Sequence, residues 1–457
     1  MTNTTDQRLG TDKMLPLVFR MALPAVAAQL VNLLYNIVDR VYIGHIEGVG
    51  KDALAGVGVT SSVIMLIAAF SQLVGGGGAP LASIALGRGD KDGASRILNN
   101  GFIMLTFFAV VATAVPYFIM EAMLRFAGAS DLTLPFAESY LNIYLIGTFF
   151  VMVSTGLNMF ISAQGRPGIG MTSVLIGAGL NTVLDPLFIF GLDMGVRGAA
   201  IATVISQAVS ATWVLCFLFS PRAVLRLDFS KMRPDLRVIG RISALGVSPF
   251  VMAATESVVG FALNGQLYAY GSDIHVSALA VMQSAMQIVS VPLSGFSYGV
   301  IPILSYNYGH GNKDRVRECF FISFVVVVLF NLVGMLLMIL FPTAVARMFT
   351  TEESLIGVVG RYMPLFLTGM TIFGLQRICQ NTFVALGQAK ISLFIALLRK
   401  VILLVPLAYA LPLFMGVSGV YAAEAVADGT AAIICTSIFF SVFGKILRRC
   451  DRSGALD

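Results

Sequence analysis

Asn181 and Asp185 lie four residues apart in the run Gly179–Thr203, GLNTVLDPLFIFGLDMGVRGAAIAT. On a helix such a pair shares one face. Pro186 follows at once, and its ring removes an amide hydrogen and pushes away the carbonyl four residues back, that of Thr182. A carboxylate, a carboxamide and a freed carbonyl are all oxygen donors suited to a hard cation, and the carboxylate can instead carry a proton. The plainer alternative is a structural carboxylate bonded to a neighbouring helix. Ionisable groups at membrane depth are expensive and are kept for function, which favours the first alternative.

The setting of that run is what makes depth relevant. Of 457 residues, 57% are hydrophobic and only 12% charged, with a mean hydropathy of +0.86. Soluble domains average about 25% charged residues, so the expected class is an all-α integral membrane protein rather than a soluble enzyme. The net charge of +6 falls in short loops, as the positive-inside rule expects, and does not point to nucleic acid. Cys216, Cys319, Cys379, Cys435 and Cys450 form no CxxC pair, and the three histidines are scattered. A disulfide frame, a zinc site or a transition-metal site is therefore not expected. No HExxH motif and no ligand-spaced His or Cys suggests a membrane enzyme.

Apolar segments of roughly 20 residues or more, enough to span, recur twelve times: near 15–44, 53–86, 97–120, 133–163, 168–191, 196–220, 238–270, 276–308, 317–341, 354–386, 389–413 and 417–447. Residues 1–13 read as a cytoplasmic tail with no cleavable signal, 14–220 as a first lobe of helices 1–6, and 221–237 as a cytoplasmic linker. Residues 238–447 read as a second lobe of helices 7–12, and 448–457 as a second cytoplasmic tail. With the N-terminus inside, the inner segments hold twenty-one Lys and Arg, against Lys51, Arg125, Arg197 and Arg347 outside. That asymmetry places both termini in the cytoplasm of a cell (inner) membrane.

The two halves repeat. LGRGDKD at 86–92 matches YGHGNKD at 308–314, SAQG at 162–165 matches VALG at 384–387, and GVRG at 195–198 matches GVSG at 416–419. Six helices per half is an even number, so the repeat is parallel, giving two pseudo-symmetric six-helix bundles. Transporters place substrate at such an interface and rock the halves around it. The GxG[DN]KD turns lack Walker A spacing and read as tight turns carrying charge. GGGG at 75–78 reads as close helix packing or a bend.

Further polar residues lie at membrane depth. Gln29, Asn32, Tyr35, Asn36 and Asp39 make a stripe down one face of the first helix, after a bending point at Pro24. Such a stripe should line a water-filled cavity. The fourth helix adds Tyr140, Tyr144, Thr148, Ser154, Thr155 and Asn158. Amides and ring faces together suit bulky organic cations. The second half carries Glu256, Arg377, Arg399, Lys400, Glu424 and Asp428, but Ile402 stands opposite Asn181 in the repeat. The cation constellation is thus not duplicated, and the first half is expected to hold the coupling site. Glu424 and Asp428 are expected to pair with Arg377, Arg399 or Lys400 as structural ion pairs. Glu256, with no basic residue near it in sequence, stays a functional candidate.

Twelve helices in two repeated halves, LYNIVDRVYIG at 34–44, AxGRP at 163–167 and NTVLDPLFIFGLDMGVRGAAIAT at 181–203 together resemble the multidrug and toxic compound extrusion (MATE) family. The resemblance covers nearly the whole chain. It implies antiport of diverse, often cationic drugs out of the cell against Na+ or H+, with no cofactor beyond that ion, by a monomer. It implies a cation or proton site, Na+ possible, at Asp39, Asn181, Asp185 and Thr203, and substrate contacts at Tyr35, Tyr140 and Asn158. Asn32 and Asp39 from the stripe, together with Asp185, join the expected substrate surface, and Pro24 and Pro186 are the expected hinges. Glu256 resembles the seventh-helix acid of another branch, but Arg377 stands in the region where that branch has an aspartate. The same superfamily contains flippases of lipid-linked precursors, whose basic cavities make them the alternative; Arg377, Arg399 and Lys400 could supply such a surface.

Overall fold

The structure, a computed structural model, describes residues 5–450. Among them, ten helices are long and apolar enough to cross a membrane, and two bent helix pairs bring the number of spans to twelve. In the first half α1 is Met14–Gly44, α2 Gly50–Gly87, α3 Lys91–Phe126, α4 the pair Leu134–Ile146 and Thr148–Ala163, α5 Pro167–Gly191 and α6 Gly195–Phe219. In the second half α7 is Leu236–Tyr270, α8 Asp273–Gly309, α9 Lys313–Leu340, α10 the pair Glu353–Leu367 and Gly369–Ala385, α11 Ala389–Met415 and α12 Val417–Arg448. Each falls on one of the twelve expected segments.

Two spans are not the single rods that their hydropathy suggests. α4 bends by 59° at Gly147 and α10 by 44° near Thr368. A Cβ on Gly147 would sit 2.6 Å from a methyl of Val204, so the bend lets α4 lie against α6. Pro24 leaves α1 helical throughout Met14–Gly44. After Pro186, α5 widens into π-helix over Leu187–Gly191, and α11 does the same over Leu398–Leu404. Such widenings are frequent at functional sites.

The halves meet crosswise, α2 against α7 and α1 against α8. Small residues make the approach possible. A Cβ on Gly77, in the GGGG run, would sit 2.2 Å from the Ile242 carbonyl oxygen, and one on Gly299 2.4 Å from Ala22 Cα. The repeat is visible atom by atom at the ends of α2 and α8. Ser83 Oγ donates to the Ala163 carbonyl at 2.9 Å; Ser305 Oγ donates to the Ala385 carbonyl at 2.8 Å. Both members of the second pair lie 222 residues after those of the first. A Cβ on Gly87 would meet the Tyr306 oxygen at 2.0 Å, and one on Gly309 the Ile84 oxygen at 2.0 Å.

Each half is also entered through a segment docked on the other half. Ahead of α1, Thr5–Thr11 is a short helix. Asn307 Nδ2 donates to the Leu9 carbonyl at 2.9 Å, and Arg315 Nη2 donates to the Leu9 and Asp12 carbonyls at 3.2 and 2.8 Å. Leu9 is buried. Ahead of α7, the chain lies along the first half: the Val224 and Leu225 amides donate to Gln164 Oε1, and the Asp228 and Asp235 amides donate to Asn99 and Asn100 on α3.

Candidate functional site

Four spans of the first half bring their polar residues to one place. Glycines permit this. A Cβ on Gly198 would lie 2.7 Å from the Phe188 carbonyl, and one on Gly177 2.4 Å from Ser210 Oγ. Without them α6 could not lie close against α5. With that approach made, Asn181 on α5 faces Thr203 on α6.

Asn181 Nδ2 donates to Asp185 Oδ1 at 3.1 Å and reaches Thr203 Oγ1 at 3.4 Å. The i,i+4 spacing that sets Asn181 and Asp185 on one face is thus used directly. Asp39, from α1, brings its carboxyl within hydrogen-bonding reach of the Asp185 carboxyl. The Tyr140 hydroxyl lies beside Thr203, and the Tyr35 hydroxyl beside Gln207 on α6. Tyr140 and Tyr144 stack with ring centroids 6.0 Å apart. All of Asp39, Asn181, Asp185, Thr203 and Tyr140 are buried, Asp185 completely.

Two atoms stand out. Asp39 Oδ1 and Asp185 Oδ2 are buried and have no hydrogen-bond partner. Buried polar atoms are nearly always paired, and an orphaned carboxylate oxygen is especially costly. Two such oxygens on adjoining carboxyls form a place that a proton or a hard cation would satisfy, with Asn181 and Thr203 supplying neutral oxygens beside it.

The other expected residues lie elsewhere. Asn32 is two turns before Asp39 on α1, and the neighbouring Asn36 side chain donates back to the Asn32 carbonyl at 2.7 Å. Asn158 Nδ2 donates to the Gly170 carbonyl and to Ser173 Oγ, both at 3.1 Å. Ser173 is twelve residues before Asp185, about 18 Å along the helix. Asn158 therefore ties α4 to α5 at a distance from the carboxyl pair. Gln207 was not singled out by sequence. It accepts a hydrogen bond from Ser154 Oγ at 2.8 Å and so links α4 to α6 beside Tyr35. Its signal was its place, one turn after Thr203 on the same face.

The second half forms a separate charge cluster. Arg399 lies bidentate on Asp428, with Nη2 3.1 Å from Oδ2, and 4.0 Å from Glu424. Lys400 Nζ lies 3.2 Å from Glu256, so the acid with no basic residue near it in sequence has one in space, 144 residues further along the chain. The π-helical stretch of α11 turns both Arg399 and Lys400 inward, so consecutive residues are both buried. Arg377 instead donates to Ser294 Oγ at 2.8 Å and packs over the Phe373 ring.

The amino-acid sequence matches the MatE family over residues 24–187 and 250–410. The chain belongs to the MatE family. It is a MATE transporter with multiple membrane-spanning helices, not an enzyme. It is 22% identical to the multidrug export protein MepA of Staphylococcus haemolyticus over 429 residues, which cover 94% of each protein. To MepA of Staphylococcus aureus (strain MRSA252) it is 23% identical over 427 residues, 93% of each. A crystal structure of MATE in the bent conformation superposes with a TM-score of 0.91 at 22% identity, covering 98% of this chain and all of that one. The MATE fold and the multi-pass membrane architecture expected from sequence are thereby established.

Proposed function

We propose that this MATE transporter exports cationic, amphipathic organic compounds by antiport, with H+ or Na+ entering at Asp39 and Asp185. The observation that carries the reading is the pair of buried, partnerless oxygens, Asp39 Oδ1 and Asp185 Oδ2, on adjoining carboxyls. Ionised, they favour a cation in the cavity, whether drug or coupling ion. Once the ion neutralises them, the drug's attraction is lost and it leaves. Asn181 and Thr203 are the auxiliary oxygens of the ion site; Tyr35, Tyr140 and Asn32 are the drug surface. A coupling ion moves the protein only if it binds one state better than the other, and rocking of residues 14–220 against 238–447 supplies the two states. The molecule works as a monomer in the cell membrane with both termini inside. Two multidrug export proteins matched along nearly their whole length support the substrate class.

The test is dye uptake into everted vesicles, the equivalent of export from the cell, with the pH and Na+ gradients collapsed in turn. Wild type should lose export of an ethidium-like cation with one gradient and keep it with the other. Export indifferent to both would overturn the reading. A flippase of lipid-linked pyrophosphates would need several uncommitted cations on the cavity wall, whereas Arg399 and Lys400 are both engaged by carboxylates.

A further inference from the structure

Three basic side chains lie within the spans of the second half, and they are not equivalent. Arg399 is saturated by Asp428 and also faces Glu424. Lys400 is held by Glu256. Arg377, on the second segment of α10, contacts no carboxylate among the described residues. Its guanidinium donates one hydrogen bond to Ser294 Oγ and lies over the Phe373 ring, 5.3 Å from the centroid. Its Nε is buried and has no partner. A guanidinium carries five N–H donors in a fixed fork and cannot be deprotonated in practice, so this one is far from satisfied.

Its position relative to the space between the halves matters. Ser294 lies on α8 one turn before Tyr298, whose hydroxyl accepts from Gln72 of α2 at 3.2 Å across the interface. Glu256, midway along α7, keeps nearly half of its side chain open although it sits at membrane depth. Unpartnered buried carboxylate oxygens stand at Asp39 and Asp185 on the first half and at Glu424 on the second, and a guanidinium nitrogen stands unpartnered at Arg377. Intramembrane ionisable groups without a local partner mark substrate paths, and Arg is suited to bidentate capture of a planar carboxylate.

We infer that Arg377 is a specificity-determining residue that binds the carboxylate of zwitterionic substrates, whose cationic end faces the Asp39 and Asp185 wall. The guanidinium lies over the Phe373 ring and donates to Ser294 Oγ, leaving other N–H groups for the ligand. This rests on the export reading above, and deepens it by adding a second polar end to the substrates that fit best.

The matched probes are a rhodamine with a free benzoic acid and the methyl ester of the same dye, one zwitterionic and one purely cationic. Purified wild type should bind the acid at least as tightly as the ester, although the ester is the better cation. In Arg377→Gln the acid-to-ester ratio, for binding and for vesicle export, should fall by about tenfold or more, the scale of a lost charge-assisted hydrogen-bond pair. Arg377→Lys should recover part of it. If the ester is exported but wild type disfavours the acid, or Arg377→Gln leaves the ratio where it was, the inference falls and the export reading stands. If wild type moves neither dye, both fall. The wild-type ratio decides the matter even if Arg377→Gln does not fold.

Discussion

Asn181 holds Asp185 by one oxygen only. Its amide donates to Oδ1 at 3.1 Å, while Oδ2 stays buried and without a partner. The carboxyl is therefore oriented by the protein and left incomplete on the side of Asp39. Asp185→Asn and Asp39→Asn should each abolish gradient-driven dye export while the protein still folds, since each removes a charge that nothing else in the first half replaces. Vesicle export, with expression and monodispersity as controls, is the measurement. Retained, gradient-dependent export in Asp185→Asn would refute the assignment.

Asn181 and Thr203 should differ in weight. Asn181→Ala leaves both Asp185 oxygens without a donor and takes away a neutral oxygen beside them, so the coupling ion's apparent affinity should shift by about ten- to a hundredfold, the range for a hydrogen bond to a charged group, tighter if the ion is H+ and weaker if it is Na+. Thr203→Val removes a longer contact of 3.4 Å and should shift it less. The ion concentration giving half-maximal export reads both.

The crossing of α2 and α8 depends on the absence of a side chain. With Tyr306 oxygen 2.0 Å from where a Gly87 Cβ would be, and Ile84 oxygen equally near a Gly309 Cβ, Gly87→Val or Gly309→Val must push the halves apart. Overpacking of this kind typically costs about 1–3 kcal/mol. The expected result is a lower melting temperature and faster labelling of cysteines placed on the α2 and α8 faces.

The Arg399–Asp428 pair should behave as a structural unit. Both side chains are buried, so Asp428→Asn or Arg399→Met alone leaves an uncompensated charge or donor, at a cost of about 3–5 kcal/mol. Replacing both, as Arg399→Met with Asp428→Leu, should recover much of that stability. Thermal unfolding in detergent measures it, and additive losses would argue that the two do not act together.

The docked leader can be tested separately. Arg315→Ala removes the donor to the Leu9 and Asp12 carbonyls, and should make the first dozen residues cleavable by protease without lowering the melting temperature of the spans appreciably.

Much of this was legible in the chain because the membrane imposes simple rules. Spanning length and the charge asymmetry of loops mark the twelve segments, and the four-residue spacing of Asn181 and Asp185 survives directly as a hydrogen bond. What could not be read is whatever depends on geometry across helices. Gly147, at the bend of α4, packs against Val204 of another span with no room for a side chain. The Glu256–Lys400 pair joins residues 144 apart. Polarity at membrane depth marks Asn158 but does not reveal that its amide nitrogen ties α4 to α5 through the Gly170 carbonyl. Gln207 was passed over because it lies outside every motif, although its position one turn beyond Thr203 was available.

The two docked leaders have a topological consequence. Thr5–Thr11 belongs to the chain of the first half and rests on the second, while residues 224–235 run into the second half and rest on the first. This is the geometry of an arm-exchanged dimer whose two protomers have been joined into one polypeptide. In such an assembly the halves are clasped from both sides at the end where α2 and α8 meet. Parting them there means undocking two arms as well as separating two surfaces, so the arms act as a resistance on that opening alone and leave the opposite end free of it.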